Sequence, residues 1–446
     1  MSAKSQLPIR RALPGDIRRN RLLVISMDSL GAEDVPLIES LPNFKRLLAG
    51  ASYCYNVSSV YPSLTYPAHT SIITGCYPRK HGIVNNTRIQ VTKDSPDWYW
   101  QRKYIKTNTV YDAVLKRKGK VASLLWPVTA RSKITWNMPE IFSNHRFGNQ
   151  ILTSISNGST LYQATLQQKF GYLRKGIQQP ALDDFVTESV KYTMTVLNPD
   201  LTLVHLADLD VQRHMHGAQS PEAKEAILRH DRRLGEILDV LESNGSDINT
   251  NLIVLGDHYQ KDTSKAIQIN YYFVKKGWIT LRKGQIHEYE VYCKNTDGSA
   301  YVYIKKNHGY LRDAVRELLM ELANDADSGV EQVIEGRDAA AMGADPRCSF
   351  MLEARDGYYF LDGYNAPEVE VDAMTEGLGR KKVYATHGYL PGKPGYQTIF
   401  IAKGPDIVGN VEIPSMCLVD EGPTMARLLR VSLPDTDGRV IRSILK

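Results

Sequence analysis

The sequence predicts an α/β protein, a doubly wound, mostly parallel sheet flanked by helices, with an inserted α+β cap. Three observations predict it. Apolar runs of about four to eight residues recur along the chain, stretches of helical periodicity separate them, and acidic or imidazole side chains follow directly on several of the runs. Runs apolar on both faces suit parallel strands covered by helices. In such sheets a site lies beyond the carboxyl ends of the strands.

The first run, Arg21-Leu22-Leu23-Val24-Ile25-Ser26-Met27, reads as a buried strand that delivers Asp28 at its end. Residues 42–48 read as a helix, 51–61 as a second strand, and 67–74 as a helix closed by the turn Gly75-Cys76-Tyr77-Pro78. Further strands are predicted at 121–125, 201–206 and 252–255, the last ending just before Asp257. Helices are predicted at 182–196 and 220–242. The character changes between about 266 and 370: Tyr-rich alternating stretches at 288–292, 300–304 and 348–361, with a helix-like segment at 310–324, read as the cap. The main domain is therefore expected over 21–265 and 371–446, with 397–402 returning to the sheet and 1–20 a polar lead-in.

With 42% hydrophobic and 23% charged residues, the 446-residue chain falls among ordinary globular enzymes. No run approaches the ~20 apolar residues of a membrane span. The basic N-terminus lacks the apolar core of a secretory leader, so a cytoplasmic location is expected. The five cysteines are widely spaced and form no zinc-ligand pattern, so free thiols are expected. The net charge of +6 is scattered, which suits a small anionic substrate better than a nucleic-acid duplex.

Carboxylates and imidazoles gather after successive predicted strands. They are Asp28, the pair Asp210 and His214 at a spacing that shares one helix face, the adjacent Asp257-His258, and His387 in Thr386-His387-Gly388-Tyr389. Each alone reads more readily as structural, but together they offer the oxygen and nitrogen donors that divalent cations take. The candidate nucleophile is Thr65, in Tyr61-Pro62-Ser63-Leu64-Thr65-Tyr66-Pro67-Ala68-His69. A threonine hydroxyl is a poor nucleophile until a cation or a helix N-terminus stabilises its alkoxide; the competing role at that place is helix capping. His69 and His81 read as loop-holding histidines, His205 as a satisfied core histidine, His216 as surface, Asp208 as a strand-end residue and Trp126 as core.

The nucleophile block, continued through Tyr77-Pro78-Arg79-Lys80-His81-Gly82-Ile83-Val84-Asn85-Asn86, resembles the nucleotide pyrophosphatase/phosphodiesterase branch of the alkaline phosphatase superfamily. The order of Asp210/His214, Asp257-His258 and His387 matches as well. The resemblance implies an alkaline phosphatase-like fold and two divalent metal ions, zinc first, with manganese or iron as substitutes. Asp210, His214 and His387 would hold one ion, and Asp28, Thr65, Asp257 and His258 the other. It further implies that Thr65 attacks phosphorus to give a phosphothreonine, that Asn86 donates to a phosphate oxygen, and that Tyr66 offers a face to a nucleobase. The expected substrate is a small phosphorylated molecule, a nucleotide among the candidates. The sequence departs from the family where Tyr259-Gln260 follow His258, where Gly256 precedes Asp257, and where Leu390-Pro391 follow Tyr389. Phosphomonoesterase or phosphonoacetate hydrolase-like activity on the same site is the first alternative, and a non-catalytic binding protein the second.

Overall fold

The computed structural model describes residues 21–93, 95–144, 149–372, 374 and 382–446; the lead-in expected at 1–20 lies outside them. Six of the eight strands of the main sheet are, in chain order, β1 (Arg21–Met27), β2 (Ser52–Ser58), β3 (Val121–Leu124), β4 (Trp136–Met138), β5 (Leu201–Leu206) and β6 (Thr250–Leu255). The strands Thr398–Lys403 and Met416–Cys417 complete it, in the spatial order Met416–Cys417, β2, Thr398–Lys403, β6, β1, β5, β3, β4. Strand Thr398–Lys403 runs antiparallel to both of its neighbours, while every other pairing in the sheet is parallel. The predicted doubly wound, mostly parallel architecture is therefore the observed one.

Side chains alternate between the two faces of the pleat. In β1, Leu22 and Val24 enter the core packed by helices Thr65–Thr74 and Glu421–Leu428. Leu23, Ile25 and Met27 enter the opposite core, with helices Pro42–Leu48, Ala181–Tyr192 and Pro221–Ser243. Each fully buried Leu or Ile contributes ~1.5–3 kcal/mol, so both faces hold β1 at the centre of the sheet. The edge strands β4 and Met416–Cys417 were not expected from the sequence, because three and two residues are too few to show a period.

Between β6 and Thr398–Lys403 the chain builds further sheets. Strand Lys261–Ile267 crosses the expected boundary at 266 and pairs with Gly357–Phe360, Glu368–Glu370 and Ala385–Thr386. A four-stranded antiparallel sheet, in the order Val291–Thr296, Ser299–Ile304, Phe350–Ala354, Val330–Glu335, packs on helix Arg312–Asn324. Its apolar cluster includes Val302, Leu319 and Phe350 and extends to Tyr389 and Tyr396, in the loop after His387. All five cysteines are free. No helix among the described residues is long and apolar enough to cross a membrane.

Candidate active site

The predicted site residues come from separate strand ends and meet at the carboxyl edge of the sheet. Asp28 directly follows β1, where its N–H continues the ladder to the Leu206 carbonyl at 2.9 Å. Asp257 and His258 follow β6 after Gly256, where a Cβ would overlap the Leu30 carbonyl, so glycine is what lets the chain turn there. Asp210 and His214 share one face of helix Asp208–His216, which follows β5. His387 follows the short strand Ala385–Thr386.

Thr65 is the first residue of helix Thr65–Thr74, and Leu64 occupies the capping position. Its hydroxyl is therefore not spent on the cap: Oγ1 lies 3.2 Å from His258 Nε2. That nitrogen is also 3.4 Å from Asp28 Oδ1 and 3.1 Å from Asp257 Oδ2. On the other side, Asp210 Oδ1 lies 3.4 Å from His214 Nε2 and 3.9 Å from His387 Nε2. The rings of His258 and His387 are 4.1 Å apart, so the two groups adjoin. Donor atoms of Asp28, Asp257 and His258 lie within 4.8 Å of one another, as do those of Asp210, His258 and His387.

The electrostatics of this cluster fit cations. Burial and the nearby Asp210 push the Asp28 carboxyl up to about 7, against the pull of His205. Burial and Asp28 hold Asp257 well above the carboxylate range. Burial also keeps His258 neutral, with the neighbouring His387 adding to the effect, and lowers His387 to about 3. Asp28 Oδ1 and Asp257 Oδ2 are buried with no hydrogen-bond partner among the described residues. Packed carboxylates with spare lone pairs beside neutral imidazoles are the donor set a dication satisfies.

Several neighbours were read from sequence as structural. His69 Nδ1 bonds the Thr65 carbonyl at 2.8 Å and lies 3.4 Å from Asp257 Oδ2. His205 is more than a core histidine: Nε2 meets Asp28 Oδ2 at 2.9 Å and Nδ1 meets Glu140 Oε2 at 3.0 Å. Burial disfavours its charge, but the Asp28 and Glu140 hydrogen bonds prevail and raise its pKa well above the usual value. Asp208 is ion-paired to Arg229 and Arg233, which anchors the helix carrying Asp210. His81 bonds Ser71 and Ile83, His216 is exposed, and Trp126 is buried against His69.

Asn86 Oδ1 accepts from the Tyr66 N–H at 2.9 Å, which leaves Nδ2 as the donor end of the amide. Tyr66 departs from expectation. It is 0% exposed, its ring packs edge-on against Trp98, and its hydroxyl reaches Glu140 Oε1 at 3.2 Å. A ring without accessible surface offers no face to a nucleobase. The first helical turn directs it into the core, where Glu140 satisfies the hydroxyl.

Three contacting residues were missed. Glu140 follows the unseen edge strand β4. Asp297, in the two-residue Asp-Gly turn between Val291–Thr296 and Ser299–Ile304, points Oδ2 to within 3.7 Å of His387 Nδ1. Its Asp-Gly sequence reads as a hairpin signal and nothing more. Gln260 donates to Asp210 Oδ1 at 2.6 Å. Tyr259 lies under the Arg213 guanidinium, 4.4 Å from ring centre to Cζ, so the departure from the family after His258 is a pair of supports.

Comparison with known proteins follows the same lines. Venom phosphodiesterase 2 of Crotalus adamanteus is 26% identical over 265 residues, covering 56% of this chain and 28% of that protein. Ectonucleotide pyrophosphatase/phosphodiesterase family member 1 of Mus musculus is 25% identical over 273 residues, covering 58% and 26%. The chain thus spans less than a third of the length of these relatives. Among solved structures, an inactive variant of murine ectonucleotide pyrophosphatase/phosphodiesterase 5 in complex with AMP superposes with a TM-score of 0.67 at 17% identity, over 96% of this chain and 100% of that one, which shows the shared fold. The family model of type I phosphodiesterase / nucleotide pyrophosphatase matches residues 22–390. The chain belongs to the type I phosphodiesterase / nucleotide pyrophosphatase family.

Proposed function

We propose that the protein is a metal-dependent hydrolase of phosphodiester or pyrophosphate bonds, with Thr65 as nucleophile. The observation that carries this reading is the uncapped Thr65 hydroxyl, 3.2 Å from His258 Nε2 and at the positive end of a helix, beside the Asp28 and Asp257 carboxylates. Asp28, Thr65, Asp257 and His258 would hold one divalent ion, and Asp210, His214 and His387 the other, with zinc the first choice. Such ions supply charge neutralisation at the phosphate and lower the pKa of a hydroxyl.

The chain's own residues do the rest. Thr65 Oγ1 gives up its proton and attacks phosphorus in line with the leaving oxygen. The bond to the leaving group breaks, that oxygen takes a proton, and a phosphothreonine remains. Asn86 Nδ2 donates to an equatorial oxygen as charge develops there. Water then attacks the same phosphorus, breaks its bond to Thr65 and restores the hydroxyl. The region 266–370 acts as a cap over this edge of the sheet.

The AMP carried by the structural neighbour makes nucleotide diesters the natural first substrates. The test is turnover of bis(p-nitrophenyl) phosphate, thymidine monophosphate p-nitrophenyl ester and dinucleotides, beside p-nitrophenyl phosphate and phosphonoacetate. Diester turnover that EDTA abolishes and Thr65→Ala removes is the expected result. Turnover that survives chelation rejects the metal, and faster monoester or phosphonate cleavage transfers the reading to those substrates.

A further inference from the structure

One polar path beside the site runs through two side chains, Glu140 and His205, that have no role in the reaction above. Glu140, which follows β4 at the sheet edge, uses both carboxylate oxygens. Oε1 accepts from the Tyr66 hydroxyl at 3.2 Å and Oε2 meets His205 Nδ1 at 3.0 Å. The opposite ring nitrogen of His205 meets Asp28 Oδ2 at 2.9 Å. Because carboxylate oxygens face both ring nitrogens, His205 donates at each end. The path continues through the Tyr66 N–H to Asn86 Oδ1 at 2.9 Å, and from Asp28 Oδ1 through His258 back to Thr65. Joined through the Thr65–Tyr66 peptide, these hydrogen bonds and close approaches surround the nucleophile with groups carried by β1, β5, β6, the β4 edge and the helix Thr65–Thr74.

We infer that Glu140 is a positioning residue: through His205 it fixes the Asp28 carboxylate for cation binding, and through Tyr66 it ties that carboxylate to the Thr65–Asn86 side of the site. With Oδ2 held by His205, Asp28 has Oδ1 directed to His258 and left free as a ligand atom. Without Glu140, His205 Nδ1 keeps only the more distant Leu125 carbonyl at 3.3 Å, and the imidazole loses the carboxylate contact that orients its other nitrogen toward Asp28. The side chain of Glu140 is 21% exposed, so a water can replace it physically but not as an anion. The inference rests on Asp28 being a metal ligand.

The experiment measures zinc affinity of the full chain by competition with a chromophoric chelator, alongside kcat and KM for bis(p-nitrophenyl) phosphate. Glu140→Ala is expected to weaken zinc binding at the site that holds Asp28 by ~10–100-fold and to lower kcat with KM within about twofold. Glu140→Gln leaves one amide oxygen for two donors, so it should lie between Glu140→Ala and the native protein. Adding Tyr66→Phe to Glu140→Gln removes the competing hydroxyl, frees the amide oxygen for His205, and should recover part of the lost affinity. A merely structural Glu140 would lower the melting temperature and leave zinc affinity unmoved. Zinc affinity within twofold of native in both Glu140→Ala and Glu140→Gln overturns the inference. If Glu140→Ala does not fold, the near-isosteric Glu140→Gln and its double variant decide. Absence of diester turnover in the native protein would defeat the proposed activity, while the zinc measurements would still decide the role of Glu140.

Discussion

Replacing Asp28 by Asn in the metal-free protein should raise its stability at neutral pH. In the fold this carboxyl titrates at about 7, against 3.8 for the ordinary side chain, chiefly because it is buried and faces Asp210. The folded state therefore binds its proton more tightly than the unfolded chain. The stability this group contributes is present in full below pH 3.8 and is lost as the pH rises through 7. A shift of about 3 units at 1.36 kcal/mol each corresponds to at most about 4 kcal/mol by pH 8. The figure belongs to the pair Asp28 and Asp257, since removing one charge relieves the other. Asparagine keeps an acceptor for His205 and has no charge to bury. Urea unfolding of both proteins in EDTA, followed by circular dichroism from pH 4 to pH 8, measures the difference. Burial holds His69, His81, His230 and His387 below the usual histidine range, so both proteins weaken in acid alike, and that effect cancels. Asp28→Asn should be the more stable protein at pH 8, with the gap closing toward pH 4. With zinc present the order should reverse, because the variant lacks a ligand. A gap that is absent at pH 8, or that widens in acid, refutes the electrostatic account of the site.

Thr65→Ala should lose at least about a thousandfold in kcat with little change in melting temperature, and Thr65→Ser should retain measurable turnover; steady-state kinetics on bis(p-nitrophenyl) phosphate separates them. Asn86→Asp keeps the acceptor for the Tyr66 N–H but loses the donor, so kcat should fall about 100–1,000-fold while KM moves little. Arg233→Ala leaves the buried Asp208 and Asp183 carboxylates short of their cation and should cost about 3–5 kcal/mol, read by denaturant titration, before any effect on chemistry.

The main sheet was legible because parallel strands buried on both faces are apolar over most of their length, as in β1, β5 and β6, and a carboxylate or imidazole follows closely on their ends. Asp28, Asp257 and His258 could thus be placed from local pattern alone. What the pattern could not carry is the identity of neighbours across the sheet. His205 lies opposite Ser26 in the β1–β5 register, which brings its ring beside Asp28, yet along its own strand it is simply a polar residue among apolar ones. Glu140 follows three residues of edge strand with no visible alternation, and Asp297 sits in a turn whose sequence is fully explained by its backbone conformation. Tyr66 differs in the opposite way, since helix geometry and the Glu140 acceptor turn inward a ring to which the family resemblance gave an open face.

The strand Thr398–Lys403 lies between β2 and β6, so the backbone ladder from the strand leading to Thr65 to the strand leading to Asp257 and His258 runs through a segment that follows both in the sequence. The stretch up to residue 390 already carries every candidate ligand and the candidate nucleophile, but not the strand that pairs with both β2 and β6. The alignment of β2 with β6 is thereby set through Thr398–Lys403, so a chain cut before residue 398 should keep the side chains of the candidate site and lose the strand that holds its two sides in register.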